Sequence, residues 1–297
     1  MKTVEPGKIP TAELHAFMLS SIAPRPICFA STVDKDGKPN LSPFSFFNAF
    51  GSHPPILVFS PARRVRDNTI KHTLENIYET MEVCINVVNY NMVQQTSLAS
   101  TEYDKGVNEF IKAGFTAVPS EKIKPFRVKE SPVQIECKVK QVIETGEQGG
   151  AGNLIICEIL LMHINEGVLD ANGKIDQHKI DLVARLGGDW YCRASGDALF
   201  EIEKPVRNKG IGIDQLPENI RQSHILTGNN LGQLGNVEQL PTNEELGAYR
   251  EFPDMQEILK RFSMDTESLE NHLHQKAKDL LEEGKVVEAW KVLLSAK

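Results

Sequence analysis

Hydrophobic spacing changes character several times along this chain. Leu14, Phe17 and Met18 recur at helical intervals and predict a first helix over Thr11 to Ser20. Pro24 and Pro26 forbid its continuation. Ile27 to Val33 then reads as a strand, Asp34-Lys35-Asp36-Gly37 as a turn, and Asn40 to Phe47 as the returning segment. Pro54-Pro55 opens another strand, Ile56 to Ser60. Asp67 to Thr80 predicts a helix capped by Asp67, with Ile70, Leu74 and Ile77 as its apolar stripe. Glu82 to Val88 is a strand. Asn91 is expected to cap a short helix through Ala99, and Val107 to Ala113 forms another, ended by Gly114. Two long strands, Val133 to Glu144 and Asn153 to Ile164, are joined as a hairpin by the glycine-rich link Gly146 to Gly152. Asp170-Ala171-Asn172-Gly173-Lys174 is a further turn, followed by Arg185-Leu186-Gly187-Gly188-Asp189-Trp190-Tyr191.

Strands therefore dominate the first two-thirds, and they do not alternate strictly with helices. Hairpin connections favour an antiparallel barrel over a doubly wound parallel sheet. After Phe200 the character changes. Lys204 to Pro241 is rich in Gly, Pro and Asn and predicts a long irregular connection. From Thr242 the pattern is helical, with stripes at Met255, Ile258, Leu259 and Phe262, then Leu269, Leu273, Leu280 and Leu281, then Val286 to Leu294. Leu280 to Leu294 has the flavour of half a tetratricopeptide-type hairpin. A solenoid needs about three repeats, so a docked helical tail is the expectation. The stripes must meet each other, the barrel or a partner, and a lid over a substrate face is one such outcome. The expected domains are 1–203, 204–241 and 242–297.

Composition narrows the class. The 297 residues carry a net charge of −7, which excludes a global basic field for nucleic acid. No apolar run approaches the ~18 residues of a membrane span, and Met1 to Pro10 is polar, unlike a secretory signal. Cys28, Cys84, Cys137, Cys157 and Cys192 make no Cys-x-x-Cys pair. They read as structural thiols of a reducing cytosol, with no metal cluster. His272 and His274, two apart on a helix, face different ways and do not suit one metal.

Several familiar constellations are missing. There is no Gly-x-Gly-x-x-Gly after a strand, no phosphate loop and no Gly-x-Ser-x-Gly elbow. What remains is the block Ala23-Pro24-Arg25-Pro26, Ser31-Thr32, Asn40-Leu41-Ser42-Pro43-Phe44-Ser45-Phe46-Phe47-Asn48, Pro54-Pro55-Ile56-Leu57-Val58-Phe59-Ser60, Arg63-Arg64 and Asp67-Asn68-Thr69. Ser31, Thr32 and Ser60 supply hydroxyls near strand ends. Arg63 and Arg64 supply cations, and Asn68 and Thr69 are expected at a helix N-terminus, which favours anions. Pro43 removes a ladder donor, which makes that backbone a candidate to face a ligand. Each piece has a plainer reading as turn, core, solvated pair or cap. Their order together carries the weight.

That order resembles the flavin reductase-like family over roughly Ile9 to Glu203. The resemblance implies an FMN-binding split β-barrel, mainly β with inserted helices, followed here by a helical C-terminal extension. FMN asks for phosphate partners, short polar groups along its ribityl chain and an apolar bed with hydrogen-bonding groups for its ring. The family implies contacts from Ser31, Thr32, Ser45, Phe46, Asn48, Ser60, Asn68 and Thr69, with Leu186-Gly187-Gly188 and Tyr191 approaching the cofactor. Arg25, Arg63 and Arg64 complete the candidate set. Arg185 stands where the family often has histidine, so no proton-transfer role is assigned and no catalytic side chain is named. The expected protein is a cytoplasmic homodimer with FMN, taking electrons from NAD(P)H and giving them to a small molecule or a protein. The alternatives are a flavoprotein electron carrier without its own NAD(P)H site, and a flavin-free interaction module acting through its tail. Haem on the same barrel is a further alternative.

Overall fold

The computed structural model describes residues 1–202, 204–205 and 209–296. Glu203 and Lys297, at which two expected domains end, lie outside the described residues. The chain forms two compact units, Met1–Phe200 and Glu201–Lys297.

The first unit begins with helix α1, Thr11–Ser21, and strands β1, Arg25–Pro26, β2, Cys28–Val33, β3, Pro39–Phe44, β4, Phe47–Ser52, and β5, Pro55–Phe59. Helix α2, His72–Thr80, leads to β6, Glu82–Val87, then α3, Val93–Leu98, and α4, Glu109–Ala113. Strands β7, Ala117–Val118, and β8, Arg127–Val128, precede the long pair β9, Val133–Glu144, and β10, Asn153–Ile164. Helix α5, Gln177–Ile180, and strands β11, Val183–Arg185, and β12, Tyr191–Arg193, close the unit.

Seven strands pair in the order β3-β2-β6-β9-β10-β5-β4, antiparallel throughout. Register shifts in β10 at Ile156/Cys157 and Ile159/Leu161, and in the β4–β5 pair at Ala49/Gly51, are the bulges that bend a sheet round a core. On one side Phe59, Ile85, Cys137, Cys157 and Ile155 pack with Leu74 and Ile77 of α2. On the other, Phe29 and Leu41 pack with Met92 and Phe110. Cys28, Cys84, Cys137 and Cys157 are buried thiols, and burial pushes each one's pKa up. A second sheet, β1-β11-β12, sets Arg25 opposite Arg185.

Two sequence expectations change here. The segment Asn40 to Phe47 is not one strand: β3 ends at Phe44, and β4 starts at Phe47 to pair with β5. Pro43 itself stays in register opposite Phe29, tolerated because β3 is an edge strand. Helix α2 starts at His72, not Asp67. The Asp67 carboxylate accepts from the Thr69 N–H at 3.1 Å and the Thr69 hydroxyl at 2.6 Å. Asn68 is left-handed at φ 57°. Local side-chain bonding thus holds 67–71 in a turn that competes with helix.

The second unit carries helices α6, Glu218–Arg221, α7, Gly228–Gly235, α8, Asn243–Arg250, α9, Pro253–Arg261, α10, Thr266–Glu282, and α11, Val286–Leu293. The stretch 204–241, expected as an irregular connection, holds α6 and α7 and sends Leu216, Ile220, Leu226 and Leu234 into one core with Leu273, Leu281 and Trp290. Its glycines and asparagines hid short helices: Thr227 and Asn230 form a reciprocal cap on α7. Trp290, 1% exposed, donates its indole N–H to the Leu234 carbonyl at 3.1 Å.

Candidate functional site

The break between β3 and β4 opens the largest of three adjoining cavities in the first unit, about 560 Å³. Pro24, Pro26, Phe46, Phe50 and Leu154 give it apolar walls, and Arg25, Ser45, Asn48 and Ser60 stand among them. Five of the residues singled out in the sequence thus meet here: Arg25, Ser45, Phe46, Asn48 and Ser60.

Arg25 is 6% exposed. Its guanidinium donates to the carbonyls of Leu19, Ile22 and Leu186, the last two at 2.9 Å, and to the Ser45 hydroxyl at 3.4 Å. The side chain therefore ties the end of α1, the β3–β4 break and the loop after β11 together at the cavity wall. Burial, then the nearby Arg185 charge, pulls its pKa below the ordinary range. Ser60 is fixed from below, accepting the Asn153 N–H at 3.1 Å.

The chain leaves the cavity through Ser60 into the loop 61–71. Here Arg63 donates to the Asn68 side-chain oxygen at 2.8 Å and to its carbonyl at 3.2 Å. Arg64 donates to Glu102 at 2.9 Å, to the Thr69 hydroxyl at 2.8 Å and to the Ile70 carbonyl at 3.0 Å. Asn68 donates to the Glu147 carbonyl at 2.9 Å, pinning the loop to the β9–β10 turn. Among the described residues Arg63 has no carboxylate partner, whereas Arg64 is paired. Asn68 and Thr69 lie before α2 and not at its N-terminus, so the helix start supplies no anion site through them.

The other sequence candidates fall elsewhere. Ser31 and Thr32 are fully buried in β2. The Thr32 hydroxyl accepts from Asn40 at 3.3 Å and Asn76 at 3.1 Å, an internal network behind the wall, and among the described residues the Ser31 hydroxyl has no hydrogen-bond partner. Neither lines the cavities: the two point to opposite faces of β2, and both faces of this strand are covered by core. Gly187 sits against α1: a Cβ there would lie 2.1 Å from the Ser20 hydroxyl oxygen. Its role is close backbone approach. Tyr191 lines two further cavities, of about 450 and 260 Å³, which share Ser97, Arg185 and Asp189. The smaller one adjoins the first cavity at Ser45. Sequence reading missed Phe50, Leu154, Tyr90, Ser97 and Arg193. They come from separate elements, and β12 is three residues long, too short to show a period.

An apolar slot with a buried guanidinium and a few hydroxyls at its wall, next to a cation-bearing loop, suits a planar ring carrying a phosphate. The flavin reductase like domain model matches residues 19–179. The chain belongs to that family. An uncharacterized protein of Aquifex aeolicus (strain VF5) is 35% identical over 189 residues, 64% of this chain and 94% of its own length. The nitrilotriacetate monooxygenase component B of Bacillus cereus is 26% identical with a TM-score of 0.63, covering 68% of this chain and 98% of that one. A Shewanella frigidimarina NCIMB 400 protein assigned as a flavin reductase with a split barrel domain is 28% identical with a TM-score of 0.57, covering 66% and 94%. The fold is thus the split barrel of flavin reductases, and the chemistry of this family is flavin-linked oxidoreduction. The family match stops before the helical unit. No helix among the described residues is long and apolar enough to cross a membrane.

Proposed function

We propose that this chain is an FMN-dependent oxidoreductase that takes electrons from NAD(P)H and passes them to a small-molecule or protein acceptor. The carrying observation is the 560 Å³ cavity whose wall brings together Arg25, Ser45, Phe46, Asn48 and Ser60 from three separate segments. The residues fit a flavin. Phe46, Phe50, Pro24 and Leu154 would bed the ring, with Ser45, Asn48 and Ser60 as short polar partners. Arg63, uncompensated by a carboxylate among the described residues, would take the phosphate, with Asn68 and Thr69 setting the two arginines in place. When bound, the flavin supplies the hydride and electron chemistry. The protein binds it, orients it and excludes water, and no nucleophile is needed.

A homodimer goes with this reading. Leu154, Leu160, Met162 and Ile164 of β10 are 37–44% exposed, an apolar strand face that a second copy would cover. A cytoplasmic setting agrees with the free cysteines.

Titration of the purified protein with FMN and FAD, followed by NADH and NADPH oxidation at saturating FMN, tests the reading. Micromolar FMN binding with weaker FAD binding, and nicotinamide oxidation that requires FMN, are expected. Flavin binding without nicotinamide oxidation would leave an electron carrier, and absence of flavin binding would overturn the function.

A further inference from the structure

Three guanidiniums gather where β1, β11 and β12 meet, and they are not equivalent. Arg193 is neutralised: it donates to both oxygens of Asp181 at 2.7 Å and lies over the Tyr90 ring at 3.8 Å. Among the described residues Arg25 has only carbonyl and hydroxyl partners. Arg185 donates to the Gly188 carbonyl at 2.7 Å and lies over the Tyr191 ring at 4.5 Å. Among the described residues neither Arg25 nor Arg185 has a carboxylate within ion-pairing distance, yet they face each other across the β1–β11 register. Two like charges side by side without a counter-charge are an unfavourable arrangement that an anion would relieve.

The surroundings of Arg185 leave room for one. It lines both the 450 Å³ and the 260 Å³ cavities together with Tyr191, Asp189 and Ser97. Stacking on Tyr191 fixes the plane of the guanidinium, and a fixed fork can donate to two oxygens of a carboxylate or a phosphate. Gln94 adds an amide to the larger cavity, and Ser100 adds a hydroxyl to the smaller. The exposed Asp189 disfavours ligands with several negative groups.

We propose that Arg185, stacked on Tyr191, is the recognition site for a single oxyanion, phosphate or carboxylate, borne on a planar small molecule and bound beside the flavin cavity. As the place of the second substrate, this assignment rests on the proposed flavin function. As an anion site it does not. The oxyanion has two sources, a nucleotide phosphate or an aromatic carboxylate.

Calorimetric titration of the full-length protein with 5′-AMP and adenosine, and with benzoate and benzamide, distinguishes them. In at least one pair the anion is expected to bind about tenfold or more tightly than its neutral counterpart, as a charge-assisted contact gives. Arg185→Gln should abolish that preference, and Arg185→Lys should keep part of it, at unchanged thermal midpoint. Preference in the AMP pair alone points to the nucleotide donor, and preference in the benzoate pair alone to an acidic aromatic acceptor. Repeating the titration at saturating FMN should leave the preference in place. Equal binding of anion and neutral, an Arg185→Gln variant that retains the preference, or competition by FMN would each overturn a separate oxyanion site. Should the protein bind no FMN but keep the Arg185-dependent preference, only the flavin function falls.

Discussion

Single side chains at this site hold backbone in place. Arg25 satisfies three carbonyls from two chain segments that would otherwise drift apart, the end of α1 and the loop after β11. A lysine has a compact head on a flexible stem and cannot span them. Arg25→Lys is therefore expected to lower stability by about 1–3 kcal/mol, read as a shift in urea midpoint, and to weaken FMN binding. An unchanged midpoint would remove the clamp from the argument. The two neighbouring arginines of the 61–71 loop should separate cleanly. Arg64 is already paired with Glu102, whereas the Arg63 guanidinium, among the described residues, donates to Asn68. Arg63→Gln should weaken FMN about tenfold or more and leave riboflavin nearly unchanged, since only FMN has the phosphate. Equal losses for both ligands would place Arg63 away from the phosphate.

The same loop has a pH limit. Asp67 is held at a pKa of about 2, first by the Thr69 hydroxyl, then by the Thr69 N–H and Arg66. The folded value lies below the ordinary 3.8, so its contribution is complete above that value and is lost as pH falls through about 2. Amide exchange at Asn68 and Thr69 should accelerate across that window and not above it, and Asp67→Asn should remove the dependence.

At the scale of elements, α10 carries a buried titrating group. His274 is 5% exposed, and burial lowers its pKa below 6.5, partly offset by Glu270. A base with a depressed folded pKa stays neutral in the native helix while the unfolded chain takes the proton first. The stability of the helical unit should therefore be complete above pH 6.5 and decline as pH falls through the depressed value. Hydrogen exchange at Leu273, Ala277 and Leu281 measures it, and a flat profile from pH 7 to 5 would sink the point. The elements themselves were read from sequence with unequal success. The long strands β9 and β10 were legible to the residue, since β9 alternates apolar and polar from Val133 to Lys140, β10 is an almost continuous apolar run, and a glycine-rich link separates them. Helices α6 and α7 were not, because four- and eight-residue helices rich in Asn and Gly owe their form to a core assembled from distant leucines.

For the whole molecule, each unit closes its own core, and this changes where the chain can be cut. Truncation after Phe200 should leave a folded barrel that still binds FMN. Truncation after Pro241 should leave Leu216, Ile220, Leu226 and Leu234 without partners, each costing roughly 1.5–3 kcal/mol in lost burial. That protein should aggregate or be proteolysed back toward residue 200. Circular dichroism, FMN titration and NAD(P)H oxidation on both truncations check this. Two equally soluble and stable products would show that residues 204–241 do not belong to the helical core.

The order of motifs from Ala23 to Thr69 was enough to determine the family, the barrel and its flavin-linked chemistry, because these segments follow one another closely in the chain. The same sequence determined the change of character after Phe200, where strand alternation gives way to glycine and asparagine. Only the tertiary structure decided which of those residues share a cavity. Ser31 and Thr32 carry the right chemistry, but β2 is covered by core on both faces, and both side chains are buried. Gly187 is required by the approach of α1. Arg185 could be seen in the sequence only as a replacement for histidine. That it stands opposite Arg25, stacked on Tyr191 with no carboxylate partner among the described residues, follows from pairing β1 with β11 across 160 positions of chain, and no local pattern encodes a contact of that range.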